Sequence, residues 1–282
     1  MKKLLILCFV LAGLSINAQE KEKDSVSNWT KKGVFTLLFN QASFSNWIAG
    51  GENSVSGTVS INYDFNYKSG DITWDNKIIT KYGISNISGT GTRKTDDFFE
   101  FNSLFGKKAG KYWSYSLLLN LRSQFTDGFD YSTDPRTVTS KFFSPGYVTI
   151  GPGMLYKKSE NFTMHISPST MKATYVSKDL TANGSVFGVD QGETSRYELG
   201  FYAALFYKAK LMENVTMENI FNAYSNYLED PQNIDLNYQI NFVMQINKYL
   251  STNLNLHMIV DDNATSRVQF KQLFGLGVNY IF

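Results

Sequence analysis

"KYWSYSLLLNLRSQF", Lys111–Phe125, decides the fold. Trp113, Tyr115, Leu117, Leu119, Leu121 and Phe125 share one parity, and Ser114, Ser116, Asn120, Arg122 and Gln124 share the other. A period of two marks an extended strand with one apolar and one polar face. In "DITWDNKIITKYGIS" (Asp71–Ser85), Ile72, Trp74, Ile78, Tyr82 and Ile84 oppose Thr73, Asp75, Lys77, Lys81 and Ser85. The pattern recurs from Val59 to Tyr67 and through "NIDLNYQINFVMQIN" (Asn233–Asn247). Each run spans about 12–16 residues, well beyond the 5–6 usual in soluble strands.

The links between runs alternate in length. Short turns are expected at 69–70, 106–110, 157–161, 211–214 and 247–250, and longer polar loops at 42–53, 87–96, 127–144, 178–193, 228–232 and 261–266. Counting the runs gives about twelve strands, and the alternation of short turns with long loops is that of an outer-membrane barrel. The expected fold is therefore all-β: a transmembrane antiparallel up-and-down barrel with short periplasmic turns and longer extracellular loops. The competing reading is a secreted β-sandwich, whose apolar face would be its dry core. Against it, Tyr67, Trp74, Tyr112, Trp113, Tyr156, Tyr207 and Tyr280 gather on the short-turn side, where an interfacial aromatic girdle belongs.

Both chain ends agree. "MKKLLILCFVLAGLSINA" (Met1–Ala18) has two lysines, a short apolar run and a small terminal residue, the layout of a cleaved secretory leader. The sole cysteine, Cys8, lies within it, so the mature chain is expected to lack thiol chemistry. Residues 19–31 read as a flexible, charged periplasmic tail, and 32–282 as the barrel. "FKQLFGLGVNYIF" (Phe270–Phe282) alternates up to a terminal aromatic, resembling the last strand by which barrel-assembly machinery recognises its clients. The chain carries 17 Tyr, 22 Phe and 4 Trp against 5 Pro, a composition that favours strands. Of its 27 basic residues Lys2 and Lys3 leave with the leader, so 25 face 25 acidic ones and no nucleic-acid partner is indicated.

Five pieces, "SNWIAGGENS" (Ser45–Ser54), "ISPSTMKATYV" (Ile166–Val176), "FNAYSNYLEDPQNIDLNYQ" (Phe221–Gln239), "NKYL" (Asn247–Leu250) and "VDDN" (Val260–Asn263), resemble one family in order and spacing. It comprises outer-membrane barrels of Bacteroidetes-type bacteria, catalogued as a domain of unknown function (3078). The resemblance implies architecture and an outer-membrane location in a Gram-negative envelope. It brings no activity, substrate or cofactor with it.

Candidate chemistry is sparse. His165 and His257 are the two histidines, both on polar strand faces and without a nucleophile motif, so each is expected to be hydrogen-bonded inside a polar interior rather than catalytic. Asp261, Asp262 and Asn263 lack the spacing of a calcium loop and read as an exposed acidic turn. Asp64, Asp75, Lys77, Lys81, Glu100, Arg122, Arg196, Glu198 and Asp235 all fall on lumen parities, so the interior is expected to carry charges of both signs. Such charges either line a narrow wet channel or pair across a lumen closed by its own side chains. Asn46, Trp47, Gly50 and Gly51 mark the first outward loop, with Trp47 expected at the outer interface.

The expected function is a non-enzymatic narrow channel or transporter for small polar solutes. Its expected surroundings are outer-membrane lipid and lipopolysaccharide, with barrel-assembly machinery during biogenesis. The alternatives are an accessory subunit of an envelope transport or secretion complex, with an envelope protein as partner, and a lipid-modifying enzyme. No cofactor or metal set is indicated.

Overall fold

The computed structural model of the protein describes residues 27–43, 53–263 and 265–282. The leader and the rim residues Asn46, Trp47, Gly50 and Gly51 lie outside the described residues. Among the described residues fourteen strands follow one another: β1 (Trp29–Ala42), β2 (Ser54–Ser69), β3 (Ile72–Ile87), β4 (Gly91–Lys108), β5 (Trp113–Ser123), β6 (Gly128–Asp130), β7 (Thr137–Ser140), β8 (Gly146–Ser159), β9 (Phe162–Tyr175), β10 (Ser195–Met212), β11 (Val215–Asn226), β12 (Ile234–Gln245), β13 (Leu250–Asp261) and β14 (Thr265–Ile281). All but β6 and β7 form one closed antiparallel barrel of twelve strands. It closes between β1 and β14, from Val34↔Ile281 to Phe39↔Leu276, and the Phe282 amide donates to the Gly33 carbonyl at 3.0 Å. Closure leaves no open sheet edge, which makes a strand-built membrane span possible.

The alternating residues sort as their chemistry demands. Leu37, Phe39, Val59, Ile61, Trp74, Tyr82, Ile84, Phe105, Leu117, Leu199, Phe274, Leu276 and Val278 all stand exposed on the outside of the closed wall. A band of this kind has no protein to bury it and belongs in lipid. Aromatic rings meet around the short-turn end: Trp29 with Tyr67 and Trp74 (centroids 5.2 and 5.9 Å), Trp113 with Tyr156 (5.0 Å) and Tyr280 with Phe282 (6.0 Å). Leu119, paired with Ser103 on this outer face, faces lipid in mid-strand. Leu119→Arg is therefore expected to lose about 2–4 kcal/mol of folding stability, as charges at mid-bilayer do. Urea titration in vesicles measures it, and Asn120→Arg, one residue along on the inner face, is the internal comparison.

The structure corrects several boundaries. β1 begins at Trp29, so the last residues of the tail expected at 19–31 are already strand. The loop expected at 87–96 is a turn at 88–90, with Gly89 and Gly91 at φ +84° and +82°, where L side chains are disfavoured. β4 then runs on through 91–96. The turn expected at 106–110 falls at 109–112. The loop expected at 127–144 carries its own small hairpin, β6–β7. That loop is tied to the one after β9 by Lys141 and Asp179, whose hydrogen bond holds the Asp179 carboxyl below the usual carboxylate range.

Candidate transport lumen

Inward parity is set by the strand register, with one interruption that matters. On β9, Ser167 pairs with Tyr202 while Thr170 pairs with Gly200, so Pro168 and Ser169 bulge out of the ladder. Proline has no amide hydrogen to give the ladder, and a bulge is where a strand tolerates it. The bulge flips the inward parity of β9 from odd (Thr163, His165, Ser167) to even (Thr170, Lys172, Thr174). Lys172 thereby joins Glu198, its register partner, inside the barrel.

Among the described residues, the interior charges named from the sequence fall into three groups. Near the short-turn end, Lys77 pairs with Asp64 at 3.4 Å on the neighbouring strand, and Asp75 meets Lys157 at 3.3 Å. In the middle, Lys81 lies near Asp96, Glu100 and Lys271, with its Nζ 6.0 Å from the Phe98 ring centre. There Glu100 accepts a hydrogen bond from Asn120 at 2.7 Å, Arg122 stacks on Tyr147 at 4.7 Å, and Lys271 reaches Asp96 at 3.2 Å. At the long-loop end, Lys172 bridges Asp235 (2.8 Å) and Glu198 (3.5 Å), while Arg196 reaches Glu229 (2.8 Å) and Glu198 (3.6 Å). The nine charges named from sequence thus fall into separate groups along the axis rather than one site.

Three of these pairs cannot form along the wall. Asp75 on β3 and Lys157 on β8 have β4 and β5 between them, and Lys172 on β9 and Asp235 on β12 have β10 and β11 between them. Lys271 on β14 and Asp96 on β4 are separated by β1, β2 and β3. With strands about 4.8 Å apart, such partners meet only by reaching through the interior. The lumen is crossed by ion pairs at several depths, so it is narrow and polar.

The partners Lys157, Asp96, Lys172 and Lys271 are absent from the sequence-derived set. Lys157 and Asp96 lie in segments that read as a turn and a loop in the sequence, and the bulge hides the inward parity of Lys172. Lys271 was legible, because it alternates with Phe270 and Phe274 on β14.

The histidines behave differently from each other. His257 Nε2 lies 3.0 Å from Asn237 Oδ1, the hydrogen-bonded role expected of it. His165 is 3% exposed and, contrary to expectation, neither ring nitrogen has a hydrogen-bond partner among the described residues. It fills space left by Gly153, where a Cβ would come within 2.9 Å of His165 Nε2. It therefore makes no serine–histidine hydrogen bond of the kind nucleophilic hydrolysis uses.

A closed antiparallel wall, apolar outside and charged within, defines an outer-membrane β-barrel. Residues 39–129 match the family model described as "Protein of unknown function (DUF3078)", in agreement with the resemblance read from the sequence pieces. No curated protein matches the chain. Among solved structures, an outer membrane channel from Pseudomonas putida F1 is 9% identical, with 94% of this chain and 99% of that chain covered at a TM-score of 0.42. The translocator domain of the autotransporter NalP from Neisseria meningitidis is 13% identical over 100% and 95% of the two chains, at 0.38. The outer membrane channel DcaP of Acinetobacter baumannii is 11% identical over 94% and 100%, at 0.32.

Proposed function

We propose that this barrel is a narrow, non-enzymatic channel for small polar solutes in the outer membrane. The observation that carries the reading is the interior lined by both signs of charge and crossed by Asp75–Lys157, Asp96–Lys271 and Lys172–Asp235. A wall meant only as a scaffold gains little from such pairs, because replacing interior ion pairs with packed apolar residues is often neutral or stabilising. Paired charges instead keep a narrow passage wet and screen a passing ion or dipole of either sign. In this reading residues 1–18 are a cleaved leader and 19–28 a periplasmic tail. Lipopolysaccharide and lipid surround the apolar band, and barrel-assembly machinery reads the alternating β14. Purified, folded protein in planar bilayers is expected to give small, discrete conductance steps with weak selectivity between cations and anions. Silent bilayers from protein that is folded by its gel shift on heating would overturn the channel reading. They would leave the barrel as an accessory subunit of a larger envelope complex, to be sought by co-purification in mild detergent.

A further inference from the structure

The loop that carries the β6–β7 hairpin folds against the outside of the wall, and the register of β3 and β4 shows how it is held there. Lys94 pairs with Ile84 and Asp97 with Tyr82, both outward residues, because β4 slips by one residue between them. A bulge of this kind puts two side chains three positions apart on one face. The Lys94 ammonium meets Asp97 at 2.9 Å and donates to the Thr126 carbonyl at 2.9 Å. Asp97 also accepts the Phe125 and Thr126 amides, at 2.8 and 2.9 Å. This ion pair, 17% and 2% exposed, clamps the loop to the wall at the edge of the apolar band.

Between hairpin and wall the clamp leaves an open cleft of about 370 Å³. Tyr82 and Ile84, 41% and 46% exposed, form its wall side, and Phe129 and Tyr131 its hairpin side. Arg93 also lines the cleft and stacks on Tyr131 at 4.8 Å, while Arg136 stacks on Phe129 at 4.1 Å; neither has an ion-pair partner among the described residues. The nearby carboxylates are answered elsewhere: Asp97 by Lys94, and Asp127, in the lining, by Lys141 within electrostatic reach. A stacked guanidinium keeps its planar fork of N–H donors, which matches the oxygens of a phosphate.

The height of the cleft says what it faces. Trp74, in the aromatic cluster at the short-turn end, and Ile84 lie ten residues apart on β3. At about 3.4 Å per residue and a tilt of roughly 40°, they mark off about 25 Å along the membrane normal, the height of a barrel's lipid band. The next outward residue, Asn86, is polar and donates to Thr92 at 2.9 Å. The cleft therefore opens where acyl chains end and the head groups of the outer leaflet begin.

We propose that this cleft holds one phosphorylated glycolipid of the outer leaflet, with its phosphate on Arg93 and Arg136 and an acyl chain along Ile84 and Tyr82. The apolar side is continuous with the lipid-facing band, which favours a lipid over free phosphate. Asp127 accepts hydrogen bonds but has none to give, so it suits the hydroxyls of a sugar. The site lies outside the wall and does not depend on whether the lumen conducts.

The test uses the full chain refolded from urea into non-ionic detergent, titrated with lipid A and followed by native mass spectrometry. One tightly bound lipid per chain is expected. Lipid A stripped of its phosphates should bind about tenfold more weakly, the scale of a hydrogen bond to a charged group. Phosphatidylglycerol should also bind more weakly, and inorganic phosphate at millimolar concentration should not displace lipid A. Arg93→Gln and Arg136→Gln, each checked for folding by its gel shift on heating, should each weaken lipid A about tenfold. The double variant should combine the losses, while Lys111→Gln, a stacked cation at the short-turn end, should bind as wild type does. Equal affinity in the wild type and the folded double variant would overturn the site. So would equal binding of lipid A with its dephosphorylated form or with phosphatidylglycerol, or displacement by inorganic phosphate alone.

Discussion

Lys172→Met is expected to destabilise the barrel more than any other single change at its outer mouth, by about 3 kcal/mol, the low end for breaking a buried ion pair. Glu198 and Asp235 are 3% and 18% exposed as side chains, and Lys172 is the cation that contacts both. Arg196 reaches Glu198 at a longer 3.6 Å and makes no ion pair with Asp235 among the described residues. Removing Lys172 leaves two carboxylates, one deeply buried, with most of their counter-charge gone. Methionine keeps the stem that lies against Tyr224, where the ammonium sits 5.0 Å from the ring centre, so the loss reports charge rather than volume. Urea unfolding in vesicles, run in chelator so that no added cation fills the gap, is the measurement. Lys172→Arg, which restores the charge, should recover most of the loss. If methionine and arginine behave alike, the pairing argument is wrong.

The alternation that exposes the fold is itself a product of the bilayer. Between two lipid interfaces, a slip of one residue would carry Lys77 and Lys81 into hydrocarbon, so Ile72–Ser85 and Trp113–Phe125 must keep a strict period of two. Above the lipid both faces of a strand meet water and that requirement lapses. Thr92, Arg93 and Lys94 therefore read as a loop although β4 runs through them. The bulge at Pro168–Ser169 breaks parity in one step, and the cue was the proline in "ISPST". Parity also says which side of the wall a charge occupies, but not what it meets across the interior. Asp96 and Lys271 are 175 residues apart, and only the cross-section of the closed barrel brings them together. In sequence "VDDN" reads as an exposed acidic turn, but Asp235 stands at the far end of a hairpin and comes beside Asp261 and Asp262 only once Leu236 pairs with Val260.

Conductance should rise several-fold when the cross-lumen pairs are cut, and the increase should depend on which pair is lost. Lys157→Ala removes a side chain that reaches from β8 to Asp75 on β3, and Lys271→Ala removes one that reaches from β14 to Asp96 on β4. Each truncation withdraws the long arm of a pair from the passage and leaves the short carboxylate on the wall. A constriction at one depth governs the resistance of the whole path, so one variant alone widens only its own level. The double variant is expected to exceed the product of the two single effects. It should also favour cations, because Asp75 and Asp96 remain without their ammonium partners. Lys157 and Asp75 are 30% and 31% exposed as side chains, so solvent already screens that pair and Lys157→Ala should cost little stability. Asp96 is 5% exposed, so Lys271→Ala strands a buried carboxylate and destabilises the barrel, and each variant is recorded only after it shows the folded gel shift. Single-channel recordings of wild type, both single variants and the double variant, with reversal potentials in a salt gradient, check both the size and the selectivity. Unchanged conductance and selectivity in the double variant would mean that solutes do not pass these pairs.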